Sequence, residues 1–328
     1  MESITTIETL EKKIENLCQQ SISLATKKAY RTDWKLFLEF CDTMNLPALP
    51  ANSDTICLYL ASLSEKSAVS TIVRKVTSIS MLHKFSGYES PTKNEKIATI
   101  LSGIKRSKQT APKKASSINF SIIKKMISQC DGTIMGVRDA AILALGWSSA
   151  MRRSELCNMR IGDLSFEDKG LLIDIHRSKT DQEGNGCKIA IPFGNEICPV
   201  ALTKRWIDRR SNIPLPPNEY LFTSLGNKAR GQWYWPSIGK LDDRMISKIV
   251  KRYASFAGLD ASNFSAHSLR RGMATEAASR GVPERIISRH TRHRSIAVLR
   301  GYIDDGTIWI DNPLTAIFSS FAPVSSSD

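Results

Sequence analysis

The sequence predicts a mainly α-helical protein with one small β hairpin or sheet, divided into a helical N-terminal domain and a mixed α/β C-terminal domain. Three observations carry this. Over the first hundred residues apolar side chains recur at three- and four-residue steps, and nothing alternates. Two runs rich in Ile and Leu, 170–176 and Cys187–Pro192, flank a polar, glycine-bearing loop at 180–186, the pattern of a hairpin. Between the two regions, residues 105–117 hold five basic residues, no acid, one proline and three serines, the composition of a linker. At roughly 100–200 residues per domain, a chain of 328 suits two. The expected division is a helical domain at 1–106, a basic linker at 107–117 and a mixed domain at 118–328.

Taken in order, Ile4, Ile7, Leu10, Ile14 and Leu17 trace the stripe of a first amphipathic helix. Thr26 is placed to cap a second, which carries Tyr30, Trp34, Phe37, Leu38 and Cys41 and ends near Asn45-Leu46-Pro47. Ser53 or Asp54 opens a third, with Ile56, Leu58, Leu60 and Leu63. A fourth runs from about Ala68 through Val69, Ile72, Val76, Ile79 and Leu82 to Ser86-Gly87, and a fifth spans 94–104. Beyond the linker, 118–130 and 137–149 read as helices, as do 200–210, 242–258, 268–280 and 284–290. The stretch 212–238, with four prolines, reads as irregular.

Composition narrows the function classes. Hydrophobic residues at 41% and charged residues at 24% are ordinary for a globular chain and exclude disorder over most of it. No apolar run approaches the roughly 20 residues that span a bilayer. The N-terminus lacks the basic-then-apolar order of a signal peptide, so a cytoplasmic location is expected and no membrane. Seven cysteines, odd in number and without a C-x-x-C pair, read as separate reduced thiols rather than a disulfide framework or a zinc site. Lys and Arg number 46 against 32 Asp and Glu, a net charge of +14, which points toward nucleic acid.

Four stretches of the C-terminal domain concentrate groups able to handle a phosphate. They are Ala150-Met151-Arg152-Arg153-Ser154-Glu155-Leu156, Arg177-Ser178-Lys179-Thr180, Ala266-His267-Ser268-Leu269-Arg270-Arg271-Gly272, and the segment from His290 to Tyr302. Each alone is weak: a lone arginine at a helix start is usually a surface charge, and a tyrosine is more often packing than nucleophile. In this order, Arg…Lys…His-x-x-Arg…His…Tyr, they resemble the catalytic domain of the tyrosine recombinases, the lambda-integrase family. The resemblance runs from about Thr26 to near the C-terminus. In the N-terminal half, Ala68-Val69-Ser70-Thr71-Ile72 and the turn at Ser86-Gly87 are similar to the Cre-like branch. It implies a core-binding domain and a catalytic domain that together form a C-shaped clamp on DNA.

The implied chemistry is attack of a tyrosine hydroxyl on a backbone phosphate, leaving a 3′-phosphotyrosine and a free 5′-hydroxyl. Bond energy stays in the covalent link, so no cofactor and no metal are expected. Arg152 and Arg270 match the family's two phosphate-binding arginines, whose forked guanidinium suits phosphate oxygens. Arg153 competes with Arg152, and the Arg-x-x-Glu spacing to Glu155 selects Arg152. Glu155 would orient that arginine or His267. His267 and Arg270, three apart on a helix, share a face. Lys179 matches the hairpin lysine that acts as general acid. Tyr302 matches the nucleophile, with His293 nine residues before it. Nine helical steps turn about 900°, so the two can meet only if the helix breaks between them, and Ser295 is a plausible cap for a new one. Many members carry glycine where this chain has Ala150, and Leu-Gly where it has Thr291-Arg292. Cre-like members carry Trp where it has His293.

By the same resemblance, Lys27, Lys28 and Arg31 on one helix and Ser70, Thr71, Arg74 and Lys75 on another would enter major grooves. Lys105, Arg106 and Lys108 would lie along phosphates, and Arg244, Lys248 and Lys251 would approach from the other side. The partner implied is double-stranded DNA with an inverted-repeat target in the nucleoid, bound by a dimer on one site and a tetramer in synapsis. The apolar segment 314–321 would dock into a neighbouring subunit. The expected function is site-specific recombination through Holliday-junction strand exchange. A type IB topoisomerase or telomere resolvase shares the chemistry, and a catalytically silent DNA-binding protein would be favoured had one of the six residues been missing.

Overall fold

The computed structural model describes residues 24–108, 115–176, 186–211, 215–225, 228–229, 232–233, 239–293, 295–310 and 312–318. The chain divides into two compact units, Met1–Lys113 and Lys114–Asp328. The helix expected at 4–17 and residues 109–114 of the linker lie outside the described residues.

In the N-terminal unit four helices are described: α1 (Leu24–Met44), α2 (Ser53–Leu63), α3 (Val69–Phe85) and α4 (Glu95–Lys108). Their apolar stripes bury Phe37, Ile56, Leu60, Ile72, Ile79 and Ile97 in one core. His83 is fully buried there; its Nε2 accepts the Ala51 N–H at 2.9 Å, and its Nδ1 faces the Ile79 carbonyl at 2.9 Å. Two expectations are corrected. Thr26 lies inside α1 rather than at its cap. Helix α2 opens at Ser53, as expected, and its cap is the preceding Asn52, whose side chain accepts the Thr55 N–H at 2.8 Å. Helix α4 continues to Lys108, through the start of the expected linker, so Ser107 and Lys108 belong to the helix. Lys105, Arg106 and Lys108 fill its last turn, where cations complement the helix dipole.

The C-terminal unit is built around α6 (Ile134–Ser148), buried continuously from Gly136 to Gly146 and packed by α5 (Phe120–Ser128), α8 (Pro199–Arg210), α9 (Asp243–Phe256) and α10 (Ala266–Ser279). A helix with so small a polar face has no side left for solvent. A three-stranded antiparallel sheet in the order β1 (Leu164–Glu167), β2 (Gly170–Ile175), β3 (Cys187–Pro192) lies on this core. Its register sets Ile173 opposite Ile189 and Leu171 opposite Ile191, so both pairs face inward. Strand β1 was not anticipated: it has four residues, none of them buried. A two-residue pairing, Lys228–Ala229 with Gln232–Trp233, falls in the stretch expected to be irregular. Then α11 (Glu284–Thr291) and α12 (Ile296–Thr307) pack on α10 around Ala274, Ala278, Ile287, Leu299 and Tyr302, and α13 (Pro313–Phe318) closes the described chain. Among the described residues no helix is long and apolar enough to cross a membrane.

Candidate active site

Two left-handed residues shape the site. After α6, Ala150 turns the chain with φ 48° and is fully buried, delivering Arg152 to the start of a short helix, α7 (Arg153–Asn158). After α11, Arg292 turns it again with φ 56°, and Ser295 caps α12 by accepting the Val298 N–H. These are the two positions where a glycine was expected by resemblance, and both need the positive φ that glycine tolerates best. The second turn is the break that lets His293 face Tyr302: their ring centres lie 5.5 Å apart.

Helix α10 brings in the other half. His267 Nε2 lies 2.7 Å from the Tyr302 hydroxyl. Arg270 is buried, gives Nη1 to the Ala150 carbonyl at 2.7 Å, and keeps a buried Nη2 with no partner among the described residues. Arg152 gives Nη1 to Glu155 Oε1 at 2.7 Å and its backbone N–H to Oε2 at 3.0 Å. A recess of about 240 Å³ is lined by Arg152, Arg153, His267 and Arg270, with Met151, Ser247, Ser265 and Ala266. Gly272 lets α10 approach the Ile118 carbonyl closely.

The electrostatics follow from burial among arginines. Burial, then Arg270, Arg271 and Arg152, lower the pKa of His267, so it is neutral near pH 7 and its Nε2 can accept the Tyr302 proton. Burial with Arg270 and Arg152 takes His293 down to about 3. Thr291 donates its hydroxyl to the Ile287 carbonyl at 2.8 Å and so accepts from His293 Nδ1 at 2.6 Å. Burial raises the Tyr302 hydroxyl, against the pull of Arg270 and Arg271. Burial also raises Glu155, but Arg292 and Arg152 overrule it and leave the carboxyl below its ordinary value. Burial, Arg152 and Arg292 bring Arg270 down to about 9, still charged at neutral pH.

The sequence model of the phage integrase family matches residues 117–307. The chain belongs to that family. It is a tyrosine-type site-specific DNA recombinase. It is 35% identical over 318 residues to an integrase/recombinase xerD homolog of Selenomonas ruminantium, covering 95% of this chain and 91% of that one. It is 26% identical over 271 residues to recombinase cre of Escherichia phage P1, covering 76% and 77%. Its fold is similar to that of the Tn1549 transposon integrase bound to transposon right end DNA, with a TM-score of 0.62 at 15% identity over 89% of this chain and 92% of that one. A lambda integrase dimer bound to a COC' core site gives 0.58 at 15% identity over 90% and 94%.

For this recombinase the structure thus lines the recess with Arg152, His267 and Arg270, sets Tyr302 against His267 and His293 against Tyr302, and places Glu155 behind Arg152. Glu155 makes no described bond to His267. Lys179, with Arg177, Ser178 and Thr180, lies outside the described residues. Arg153 is paired with Asp243 at 3.1 Å. Among the groups named for DNA, Lys28, Arg31, Ser70, Lys105, Arg106, Lys248 and Lys251 are exposed, and Lys27 and Thr71 half-buried. Lys75 turns inward instead: it is 5% exposed and gives Nζ to the Tyr59 hydroxyl at 3.1 Å, so in this conformation its ammonium does not face solvent. Arg74 pairs with buried Asp33 at 3.1 Å, Lys108 Nζ is tied to the Ser67 carbonyl at 2.8 Å, and Arg244 forks onto Asp242 at 2.7 Å.

Sequence reasoning quoted two further groups in its four stretches without assigning them a role in the chemistry. Arg271, beside Arg270, gives Nη2 to Asp305 on α12 at 2.5 Å and Nη1 to the Ala115 carbonyl at 2.6 Å, with its guanidinium 5.7 Å from the Tyr302 ring centre. His290 bonds the Ser148 carbonyl at 2.7 Å. Their adjacency to the spaced motif was the only available signal.

Proposed function

We propose that this recombinase cuts duplex DNA by attack of the Tyr302 hydroxyl on a backbone phosphate. The observation that carries the reading is the 2.7 Å contact between Tyr302 and a His267 kept neutral by its surroundings, next to the Nη2 of buried Arg270, which has no partner among the described residues. His267 Nε2 takes the phenolic proton as the Tyr302 oxygen bonds to phosphorus. Arg152 and Arg270 hold the non-bridging oxygens as charge builds there. The bond from phosphorus to the 5′-oxygen breaks, and Lys179 supplies the proton that oxygen needs. His293, neutral and bonded through Nδ1 to Thr291, packs its ring against that of Tyr302 and helps hold the nucleophile in place.

Rejoining reverses these steps with a different 5′-hydroxyl. Exchange between two inverted-repeat sites through a Holliday junction, by a dimer on each site and a tetramer in synapsis, extends the same chemistry. The lambda integrase dimer and the XerH pre-cleavage complex are relatives of this fold bound to DNA (TM-scores 0.58 and 0.56) and support DNA as the partner. So does the net charge of +14. Exposed Leu314, Ile317 and Phe318 on α13 support docking of this segment into a neighbouring subunit.

The test uses a nicked suicide duplex carrying a site selected by the full chain from a randomised library. Wild type forms a covalent 3′ adduct; Tyr302→Phe binds the duplex and forms none. An adduct persisting in Tyr302→Phe would remove Tyr302 as nucleophile.

A further inference from the structure

Arg292 stands where the backbone is left-handed, φ 56°, a conformation that side chains disfavour and glycine does not. Its side chain is 9% exposed, and its Nη2 donates to Glu155 Oε2 at 2.9 Å. Nη1 reaches back to the His290 carbonyl at 3.3 Å, and Nε is buried without a partner among the described residues. The same carboxylate receives Arg152 Nη1 at 2.7 Å and the Arg152 backbone N–H at 3.0 Å. We infer that Arg292 is a positioning residue for DNA cleavage: by sharing buried Glu155 with Arg152, it ties the turn bearing His293 to the turn bearing Arg152 and leaves Arg152's charge available to the phosphate. The inference rests on the cleavage chemistry proposed above.

The charge balance explains what the arginine adds. One carboxylate against one guanidinium is a closed pair, in which Arg152 and Glu155 satisfy each other. One carboxylate between two guanidiniums carries a net positive charge, and Arg152 is no longer needed to neutralise Glu155. The bridge is also mechanical. Glu155 is on α7, Arg152 precedes it, and Arg292 joins α11 to α12, so a single buried carboxylate spans the two chain turns that deliver Arg152 and His293. Arg292 contributes to keeping Glu155 ionised in spite of burial. A glycine here would relax the backbone and give up all of this.

The experiment compares wild type, Arg292→Gly and Arg292→Lys on the suicide duplex described above. It reads duplex affinity, single-turnover cleavage rate against pH, and melting temperature. Arg292→Gly is expected to bind the duplex as wild type does and to cleave on the order of 10–100 times more slowly, the scale of a misplaced reacting group. Its loss relative to wild type deepens toward low pH, below the fall that His267 sets in both proteins, because Glu155 has lost a guanidinium that favoured its ionised form; Arg292 also faces His290, His293 and Arg270, none of which gains a proton-dependent role by its removal above that range. Arg292→Lys recovers part of the rate and of the acid limb, since an ammonium restores the charge but not the fork. The inference is overturned if Arg292→Gly cleaves at the wild-type rate, if its loss is the same at every pH and tracks a lower melting temperature, or if Arg292→Lys is no better than glycine. An absence of adduct in wild type would overturn the proposed chemistry, and this inference with it, a result distinct from an active wild type with an unaffected variant.

Discussion

Replacing Gly272 by alanine tests the packing that holds α10, and with it His267 and Arg270. A Cβ at this position would lie 2.0 Å from the Ile118 carbonyl oxygen, and 2.6 and 2.7 Å from that residue's carbonyl carbon and nitrogen. All three are backbone atoms, so no rotamer change relieves the clash. Even a tight contact of 3.0 Å requires α10 and the segment at Ile118 to part by about 1 Å. Ile118 sits between two hydrogen bonds, donating to the Ser268 carbonyl at 3.2 Å and accepting from Trp147 Nε1 at 2.7 Å. Overpacking costs about 1–3 kcal/mol and the loss of one of these bonds about 1 kcal/mol more, roughly 2–4 kcal/mol in all. For a cooperative unit of this size each kcal/mol moves the melting temperature by about 2–4 °C, so the expected fall is about 4–16 °C. Displacing His267 and Arg270 by that distance also slows cleavage, on the order of 100-fold. Thermal melting of the full chain and single-turnover cleavage on the suicide duplex are the assays. A variant melting within about 2 °C of wild type and cleaving at the wild-type rate would show that α10 is not held by this approach.

His267→Ala removes the acceptor proposed for the Tyr302 proton and should slow cleavage by about 10²–10⁴, the range of a general base. Because burial and three arginines hold the imidazole below its ordinary 6.5, the wild-type ring is neutral above that depressed value. The wild-type rate therefore persists as pH falls through 6.5 and drops only below it; a profile already half lost at 6.5 contradicts the assignment. Ala150→Gly relieves left-handed strain of about 1–2 kcal/mol but gives up a buried methyl worth about 0.8 kcal/mol and adds about 0.5–1 kcal/mol of unfolded-chain freedom. The net change by urea unfolding should fall within about 1 kcal/mol of zero, and a change beyond about 2 kcal/mol in either direction would show that one of the three contributions is misjudged.

Much of the architecture was legible because helical periodicity is local. Ile72, Val76 and Ile79 repeat at the helical interval whatever they pack against, and all three are buried. Ser295 as cap of a new helix was equally readable, since capping depends on a few neighbouring residues. The start of α2 at Ser53 was readable for the same reason, and only the identity of the capping side chain, Asn52 just before it, was not. Strand β1 escaped because four unburied residues have no alternation of their own; their partner β2 defines them. Basic composition at 105–108 suggested a linker, yet cations are welcome in a helix's last turn and α4 continues through them.

The candidate site divides along the same line. The spaced residues Arg152, Lys179, His267, Arg270, His293 and Tyr302 and their resemblance to one family were readable in the sequence alone, because spacing and residue type are one-dimensional properties. Which charges face solvent was not: Lys75 reads as a surface lysine until Tyr59, from another helix, is found against it. Nor was the place of Arg292, which sequence shows only as a departure from glycine. Its partner Glu155 is 137 residues away, and Tyr302 is 35 from the imidazole that holds its hydroxyl. Contacts at such separations exist only once α7, α10, α11 and α12 have packed, and that packing turns a list of basic residues into an arrangement able to receive a phosphate.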